Sequence, residues 1–290
     1  MNNENAIPEP IKHVSEKQIR AGRGQLIQRL TAALVGLLAG AFFLFLGIPL
    51  VALLVREPPA TLWAALQQPD AFSALQLSVV TTTISTILTV LFGLPVAYVL
   101  ARTRVPGRAF LETLVTMPTV LPPVVAGVAL LIAFGRVGLI GRYLAPFGIE
   151  LPFTTVAVVM AQMFVSAPFF VNTTRAGLEQ LDRRYEQAAY TLRASPFYTF
   201  RRVVLPLIRP ALLSGAGLAW ARALGELGAT ITFAGSFPGI TETMPIAVYT
   251  AAEADIETAV ALSVVLMAVS FAILLGLRLG SRRSGFSVKS

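Results

Sequence analysis

The chain contains no cysteine and a single histidine, His13, among its 290 residues. Disulfide bonds and thiolate metal sites are therefore excluded, and one histidine in the N-terminal segment supports neither a metal site nor acid–base catalysis. Charged residues are also scarce, since they make up 13% of the chain, whereas 55% of the residues are hydrophobic. A water-soluble domain could not bury so much apolar surface, so the chain needs a bilayer as its solvent.

Ionisable side chains are nearly absent from long runs, each able to cross roughly 30 Å of hydrocarbon as a helix of about 20 residues. These runs are residues 31–55, 71–101, 113–134, 151–174, 258–277, and 210–233 with Arg222 and Glu226 inside it. Helices satisfy their backbone hydrogen bonds internally, so we expect an all-α integral membrane protein with six transmembrane helices. Without an evident linker or repeat, we expect one transmembrane domain, residues 29–280, between tails at 1–28 and 281–290.

The basic residues that give the net charge of +8 are distributed unevenly among the segments that connect the apolar runs. They gather before the first run, in the second and fourth connections and after the last run: Lys12, Lys17, Arg20, Arg23, Arg29, Arg102, Arg104, Arg108, Arg175, Arg183, Arg184, Arg193, Arg201, Arg202, Arg209, Arg278, Arg282, Arg283 and Lys289. The alternate connections hold only Arg56, Arg136 and Arg142. By the positive-inside rule both termini are cytoplasmic, and the excess is a topology signal rather than a nucleic-acid surface.

The fourth connection, residues 181–206, is too polar to enter lipid but carries helix signals of its own. Asp182 can cap a short helix, and Ser195 followed by Pro196 marks the start of a second helix. In the first helix one face carries the residues at i, i+3, i+4 and i+7, which are Tyr185, Ala188, Ala189 and Leu192. The pattern fits either a surface that docks another protein or an interfacial helix resting on lipid headgroups.

In this connection Gln187-Ala188-Ala189 is followed after three residues by Arg193 and after nine more by Val203, one residue and Leu205-Pro206. The spacing resembles the cytoplasmic "EAA" signature of importer-type ABC permeases, which runs Glu-Ala-Ala, three residues, Gly, nine residues, Ile, one residue, Leu-Pro. In that family the segment is a coupling helix that sits in a cleft of the ATPase subunit. The resemblance implies this role for Tyr185, Glu186, Gln187, Ala188, Ala189, Leu192 and Arg193.

Two residues depart from that signature. Gln187 lacks the charge of the usual glutamate, and Glu186 beside it points about a quarter-turn away on a helix. Arg193 replaces a glycine, which would tolerate a left-handed turn that arginine enters only at a cost.

A second stretch of sequence resembles one group among the importer-type ABC permeases. Residues 221–230 read Ala-Arg-Ala-Leu-Gly-Glu-Leu-Gly-Ala-Thr and are similar to the fifth-span region of molybdate permeases. Sulfate permeases share the Arg-Ala-x-Gly-Glu core but usually depart from the Gly-Ala-Thr that follows. The prolines of the third run, Pro118, Pro122 and Pro123, are also familiar from this group. The resemblance covers residues 75–277.

Such importers contain two permease copies and two ATPase copies, fed by an extracytoplasmic binding protein that carries the oxyanion. The resemblance implies molybdate or tungstate import across the cell membrane, with a sulfate or thiosulfate permease as the alternative. The chain has no phosphate-binding loop, because none of its lysines, Lys12, Lys17 and Lys289, follows Gly-x-x-x-x-Gly. We therefore expect no enzyme activity and no cofactor here, with ATP and Mg²⁺ on the partner ATPase.

Candidate pathway residues lie in the second and fifth predicted spans. Arg222 and Glu226 are four apart, hence on one helix face, at a depth where a lone charge is costly. We interpret them as a structural pair or, alternatively, together with Thr230 as a gate or part of the anion path. In the second run the spacing of four, three and four aligns one stripe of hydroxyls, Ser78, Thr82, Ser85 and Thr89. The stripe either lines a water-filled path or lets helices pack closely.

Two further patterns leave alternatives open. The prolines of the third run predict a bend, which is either a flexing gate or a static kink. Residues 234–257 are predicted to be an acidic loop with Glu242, Glu253, Asp255 and Glu257, and without Lys or Arg. This loop either receives basic patches of a binding protein or is simply solvated.

Two other classes of protein fit less well. A gradient-driven carrier is expected to place ionisable residues near the midplane at repeat interfaces, and here only Arg222 and Glu226 qualify. An intramembrane hydrolase would need a nucleophile with a base or a metal cluster, and the sequence offers neither.

Overall fold

The computed structural model describes residues 9–283 apart from residues 57, 59, 60, 62, 63, 65, 66 and 104, with side chains from residue 28 to residue 276. In this part of the chain every regular element is helical, as expected of an all-α membrane protein. The distal parts of both predicted tails, and Arg104, lie outside the described residues. The chain divides into two units, residues 1–56 and residues 57–290.

The first unit contains one helix, α1, Glu9–Arg56. Within its portion Gln28–Arg56 an 18-residue window reaches a mean hydropathy of 2.6, so this portion is long and apolar enough to cross a membrane. The helix runs through the predicted boundary between a polar tail and the transmembrane domain at residues 28 and 29. A change in composition along a chain does not by itself end a helix, because backbone hydrogen bonding continues through polar residues.

The second unit contains the remaining helices. They are α2 Pro69–Arg102, α3 Arg108–Val120, α4 Pro123–Phe134, α5 Gly141–Leu144, α6 Thr155–Gln180, α7 Arg184–Thr191, α8 Pro196–Thr199, α9 Leu205–Leu207, α10 Arg209–Leu224, α11 Gly228–Ala234, α12 Met244–Ala254 and α13 Ile256–Arg283. A 3₁₀ turn, Ala145–Phe147, follows α5, and a π-helical segment, Phe200–Val204, joins α8 to α9. α2, α6 and the Ile256–Gly276 part of α13 are each apolar enough to span, which with α1 makes four candidate spans among the described residues. The number rises to six if each of two bent helix pairs is one span.

The third predicted span is broken rather than continuous. The chain bends by 118° between α3 and α4, around Leu121 and Pro122. Proline lacks an N–H and pushes the residue before it out of the helical region, so α3 ends at Val120 and α4 restarts with Pro123 at its first position. The predicted proline bend is thus present, and α3 also begins earlier, at Arg108.

The fifth predicted span, residues 210–233, is also interrupted, which corrects the expectation of one continuous helix. α10 ends at Leu224, and α11 starts only at Gly228. Glycine at residues 225 and 228 lowers the helical preference on both sides of Glu226, whereas the hydropathy of the run gives no sign of a break. A second bend of 71° separates the segment Pro196–Leu207 from α10.

α6 lies at the centre of the second unit, where it contacts α2, α3, α4, α10 and α11. Thr154 caps its first turn by accepting a 3.2 Å hydrogen bond from the Ala157 N–H. One apolar cluster joins α6 to the C-terminal part of α2 and to the start of α10: Ala97, Leu100, Ala101, Phe170, Val171, Leu178, Val204, Ile208 and Ala219. A second cluster joins α6 to α4 and α11: Ala126, Leu130, Ala157, Val158, Ala161, Val165, Ala229, Phe233 and Ala234.

The predicted acidic loop at residues 234–257 is largely a helix. α12 occupies Met244–Ala254 and packs with α13 against the start of α2, through Ala71, Met244 and Leu262. This helix is not evident from the sequence, because it is short and begins directly after a polar turn. In that turn Thr241 Oγ1 accepts a 3.0 Å hydrogen bond from the Phe237 N–H. The prediction of a loop is therefore wrong for residues 244–254. Glu253, Asp255 and Glu257 are nevertheless exposed to solvent, and the helix does not decide between the two interpretations of these acidic residues.

Candidate functional sites

The connection with the EAA-like spacing forms a helix, a turn and a second helix. α7 starts at Arg184, whose N–H donates to Asp182 Oδ1 at 2.9 Å. Ser195 caps α8 by accepting from the Tyr198 N–H at 3.3 Å, as predicted. We call residues 184–207 the elbow, from the start of α7 to the end of α9.

The turn of the elbow is left-handed at Arg193. Its φ is +59°, a region that glycine enters freely and arginine does not. The Arg193 N–H donates to the Tyr190 carbonyl at 2.9 Å, and the Ala194 N–H donates to the Ala189 carbonyl at 3.1 Å. Together these two bonds make a Schellman motif, which satisfies carbonyls at the end of α7. Arg193 thus adopts the conformation that the glycine of the signature would favour.

The outward face of α7 is apolar or neutral. Tyr185, Gln187, Ala188 and Leu192 are exposed, and Ala189 is half-buried. Leu192 is 84% exposed, and Phe197 on α8 is 72% exposed. An exposed patch of this kind is typical of a surface that another protein or lipid covers.

Glu186 faces the opposite way. It is the buried residue of α7, and its Oε1 lies 2.9 Å from Arg102 Nη2 at the end of α2. This contact is an ion pair without hydrogen-bond geometry, and the Arg102 Nη2 group donates its hydrogen bond to the Leu181 carbonyl at 3.0 Å, just past the end of α6. Glu186 therefore cannot replace, on the outer face, the charge that Gln187 lacks.

A more exposed ion network lies beside this pair, between α3 and α6. Glu112 Oε1 is 2.6 Å from Arg108 Nε and 3.0 Å from Arg175 Nη2, while Glu179 Oε1 is 2.8 Å from Arg108 Nη2 and 2.9 Å from Arg175 Nε. We call the ends of α2 and α6, the start of α3 and the elbow the arginine-rich end of the unit.

The charged pair of the fifth predicted span is present, but not on one helix. Arg222 Nη2 lies 2.7 Å from Glu226 Oε2, and the Glu226 side chain is 1% exposed. Arg222 belongs to α10, whereas Glu226 stands in the break before α11 and its Oε1 accepts from the Ala229 N–H at 2.8 Å. Glu226 thus neutralises Arg222 and caps α11 at the same time. Thr230, one turn on, is also buried.

The two broken spans meet at this point. Gly127 of α4 lies against α11 so closely that a Cβ on it would stand 2.6 Å from Thr232 Cβ and 2.9 Å from the Ala229 carbonyl oxygen. A Cβ on Gly228 would likewise stand 2.6 Å from Pro123 Cβ. Glycine is required here because the two backbones approach closely. The breaks after α3 and after α10 therefore form one packed junction.

The hydroxyl stripe of α2 is fully buried in this conformation: Ser78, Thr82, Ser85 and Thr89. Ser78 Oγ accepts a 2.7 Å hydrogen bond from the Met244 N–H, and Gln162 Nε2 of α6 donates to Thr82 Oγ1 at 3.3 Å. Ser85 Oγ donates to the Thr82 carbonyl at 2.9 Å. Thr89 Oγ1 has no hydrogen-bond partner among the described residues. In this conformation the stripe therefore lies in the contact between α2, α6 and α12.

A cavity of about 270 Å³ opens at the end of the unit opposite the arginine-rich end. Asp70, Glu242, Thr250 and Thr258 are among its lining residues. Burial raises the pKa of Glu242, an effect that the Thr250 hydroxyl at 3.4 Å partly opposes. Within the described residues no group of three or more His, Cys, Asp or Glu side chains is arranged to hold a metal ion.

The class of the protein follows from its family, and its fold agrees with that class. The fold is similar to a crystal structure of a bacterial ABC transporter that imports the acidic polysaccharide alginate, with a TM-score of 0.71 over 93% of this chain and 100% of that chain, at 16% identity. Residues 89–283 match the family described as the inner membrane component of binding-protein-dependent transport systems. This chain belongs to that family, and it is therefore a permease component rather than an ATPase.

Within this family the chain is similar to permeases of molybdenum and of sulfate transport systems. The molybdenum transport system permease protein ModB of Mycobacterium tuberculosis is 48% identical over 236 residues, which is 81% of this chain and 89% of that protein. The sulfate transport system permease protein CysT of Salmonella typhimurium is 35% identical over 246 residues, which is 83% of this chain and 89% of that protein. The resemblance to importer-type ABC permeases, based on residues 187–206, and to the molybdate and sulfate group among them, based on residues 221–230, is confirmed.

Arg102 is the residue of these sites that sequence reasoning missed. In the sequence Arg102 is one of several arginines of the positive-inside pattern, and nothing local connects it to Glu186. The available signal was indirect: Glu186 is an acidic residue next to the exposed face of a short amphipathic helix, where a partner from another element is needed if it is buried.

Proposed function

We propose that this permease carries an oxyanion, chiefly molybdate with tungstate as a second substrate, into the cytoplasm. The observation that supports this most directly is the difference in identity between the molybdenum permease, 48%, and the sulfate permease, 35%, over similar lengths. A sulfate or thiosulfate permease is the second candidate, because its relatives match over the same part of the chain. These dianions share one tetrahedral shape, so selection between them rests largely with the soluble binding protein.

The partners we propose are an ATPase dimer, a second copy of this chain and an extracytoplasmic oxyanion-binding protein. The exposed face of α7, with Tyr185, Gln187, Ala188 and Leu192 outermost, is suited to the ATPase. No side chain of α3 is fully buried, although Leu111 and Val115 pack against the bundle, which leaves an apolar surface for lipid or for the second copy. ATP and Mg²⁺ belong to the ATPase, and we propose no cofactor and no nucleic acid for this chain.

The orientation we propose has both termini and the arginine-rich end in the cytoplasm. The support is the positive-inside pattern together with the convergence of Arg102, Arg108 and Arg175 at one end of the unit. The cavity with Asp70 and Glu242 then faces the exterior. A basic patch of the binding protein would find favourable charge there.

The translocation path we propose uses the hydroxyl stripe of α2 and the junction at Arg222, Glu226 and Thr230. The stripe is buried in this conformation, so the seam between α2 and α6 has to open for it to meet water. Cysteine scanning tests this in a chain that has no cysteine. Thr82→Cys and Ser85→Cys should react with aqueous thiol reagents in one nucleotide state and not in the other. Inaccessibility in every nucleotide state would remove the stripe from the path.

The test of substrate is uptake into proteoliposomes. The permease, its ATPase and the loaded binding protein are reconstituted with ATP on the ATPase side, and labelled molybdate and labelled sulfate are compared. We expect ATP-dependent molybdate uptake that tungstate inhibits, with much slower uptake of sulfate. Preferred uptake of sulfate would favour the second candidate. Uptake driven by an ion gradient without the ATPase would contradict both.

A further inference from the structure

The residue Arg102 lies where three elements of the arginine-rich end come together. It is the last residue of α2, and its side chain is 7% exposed. Its guanidinium reaches Glu186 of α7 at 2.9 Å and the Leu181 carbonyl after α6 at 3.0 Å. One side chain therefore joins α2, the end of α6 and the elbow.

The two halves of the elbow are attached differently. Val204 and Ile208, around the end of the second half, are buried in the cluster that contains Leu100 and Ala101 of α2. Phe200 adds an edge-to-face contact with Tyr98, with 5.2 Å between the ring centres. In the first half, α7, the buried residue is Glu186. The ion pair is thus the contact of the buried side chain of α7 with α2, whereas apolar packing attaches the second half of the elbow.

The pair is also sheltered from solvent. The Glu186 side chain is 12% exposed, compared with 29% for Glu112 and 40% for Glu179 in the network beside it. Charges with little access to water are weakly screened, so the attraction persists at physiological salt. An unpaired charge in such a place is costly, which keeps the two side chains together when the elements around them move.

We infer that Arg102 is a positioning residue that makes α7 and the end of α2 move as one body through its contacts with Glu186 and the Leu181 carbonyl. This inference rests on the proposed function, in which a partner ATPase displaces α7. The outer face of α7 then receives the force of the ATPase, and its inner face passes that force to α2. A loss of the pair leaves the docking face intact but lets α7 shift without moving α2.

The primary experiment measures ATP hydrolysis by the purified complex of permease and ATPase, with and without the loaded binding protein. We expect Glu186→Gln and Arg102→Gln complexes to co-purify and to keep basal hydrolysis. The stimulation by the loaded binding protein, and transport with it, should fall by about fivefold or more, a factor within the usual range of coupling between sites. The charge-reversed double variant Arg102→Glu, Glu186→Arg should recover part of the stimulation, because the attraction is restored while the Leu181 contact is not.

The control is Glu150→Gln, the same chemical change at an exposed ion pair with Arg136, whose atoms are 3.4 Å apart. It should leave the stimulation unchanged. If stimulation by the Glu186→Gln complex stays within about twofold of the parent, the inference is overturned. It is also overturned if basal and stimulated rates fall together in proportion to lost assembly, because that result describes a merely structural pair. A parent complex that does not assemble or respond to binding protein would contradict the proposed function instead.

A second measurement does not depend on the ion pair. The double variant Arg102→Cys, Glu186→Cys is joined by a flexible bifunctional thiol reagent, which is selective because the chain has no other cysteine. If α7 and the end of α2 move together, the joined complex should regain the stimulation that the unjoined variant has lost. If cross-linking abolishes the remaining transport, the two elements have to separate during the cycle, and the inference is wrong.

Discussion

Two ion pairs among the described residues, each with a buried carboxylate, hold different kinds of structure. Arg222 and Glu226 are close in sequence, and their pair spans a helix break, with the carboxylate also capping α11. Arg102 and Glu186 come from elements far apart in the chain, and their pair fixes a short surface helix to the bundle. The first pair keeps an irregular backbone in place inside the apolar region. The second pair makes α7, a short exposed helix, move together with the long helix α2.

The comparison shows where a charge is required and where it is exchangeable. Inside the bundle, removal of Arg222 leaves the Glu226 carboxylate, which is 1% exposed, without a counter-charge, and folding is expected to suffer. At the arginine-rich end, the elbow keeps its apolar attachment through Val204 and Phe200, so the loss of the pair is expected to affect coupling more than folding.

The largest effect is expected from Arg222→Ala. This change strands Glu226, whose side chain is 1% exposed, and should cost about 3–5 kcal/mol of stability. The yield of folded protein and thermal unfolding in detergent are the measurements. Combining Arg222→Ala with Glu226→Gln should restore most of the loss, since Gln still accepts from the Ala229 N–H. Single and double variants that both behave like the parent would show that the pair is not what holds the break.

A smaller effect is expected from Gly127→Ala at the junction of the broken spans. The new methyl group meets the Ala229 carbonyl oxygen at 2.9 Å and Thr232 Cβ at 2.6 Å, and overpacking of this kind costs about 1–3 kcal/mol. The matched control is Gly276→Ala on α13, where nothing lies within 4 Å of the new Cβ. The control should be neutral or slightly stabilising in the same thermal assay. Equal melting temperatures for both variants would mean that the junction is not tightly packed.

At the arginine-rich end, Arg193→Gly should stabilise the protein by about 1 kcal/mol, because the residue has a φ of +59°. The same change at Arg184, the first residue of α7, should instead destabilise, because glycine is a poor helix former. Thermal unfolding of the two variants should therefore shift in opposite directions. A destabilised Arg193→Gly variant would show that the arginine side chain itself makes a contact worth more than the backbone cost.

The smallest expected effect is on the pH dependence of stability, and it comes from Asp255 at the end of the unit opposite the arginine-rich end. Asp255 accepts hydrogen bonds from the Thr258 hydroxyl and from the Thr258 and Glu257 N–H groups, which lowers its pKa below the ordinary value. A carboxyl with a lowered folded-state pKa stabilises the fold above its ordinary pKa, and this stability is lost as pH falls through the lowered value. Asp255→Asn should reduce that acid-dependent loss in thermal unfolding measured across the acidic range. An unchanged pH profile would contradict the capping role.

Hydropathy and charge patterns predicted much of this fold, because lipid imposes length and composition on each span. They predicted the apolar runs, the cap at Ser195 and the contact between Arg222 and Glu226, all of which depend on local spacing. They did not predict the break at residues 225–227, since the run stays apolar through it, nor α12 in the connection after it. Proline at residues 122 and 123 did predict the bend between α3 and α4, because the effect of proline on the backbone is local.

The candidate sites were predictable to the extent that they are local. The EAA-like spacing placed the elbow correctly, and the replacement of glycine by Arg193 pointed to the turn that is left-handed. The pairing of Arg102 with Glu186 was not predictable, because it depends on how the end of α2 packs against a helix from a distant part of the chain. The burial of the hydroxyl stripe likewise depends on the packing of α6 and α12 against α2.

The central claim is that the exposed face of α7 meets the partner ATPase in the cytoplasm. Site-directed cross-linking from Leu192→Cys, a position that is 84% exposed, tests it most directly, with Leu139→Cys, 65% exposed in the connection after α4, as the control. A photoreactive thiol probe at residue 192 should cross-link to the ATPase subunit, and the same probe at residue 139 should not. Labelling of residue 192 from outside intact cells, or the absence of any cross-link to the ATPase in an active complex, would contradict the account.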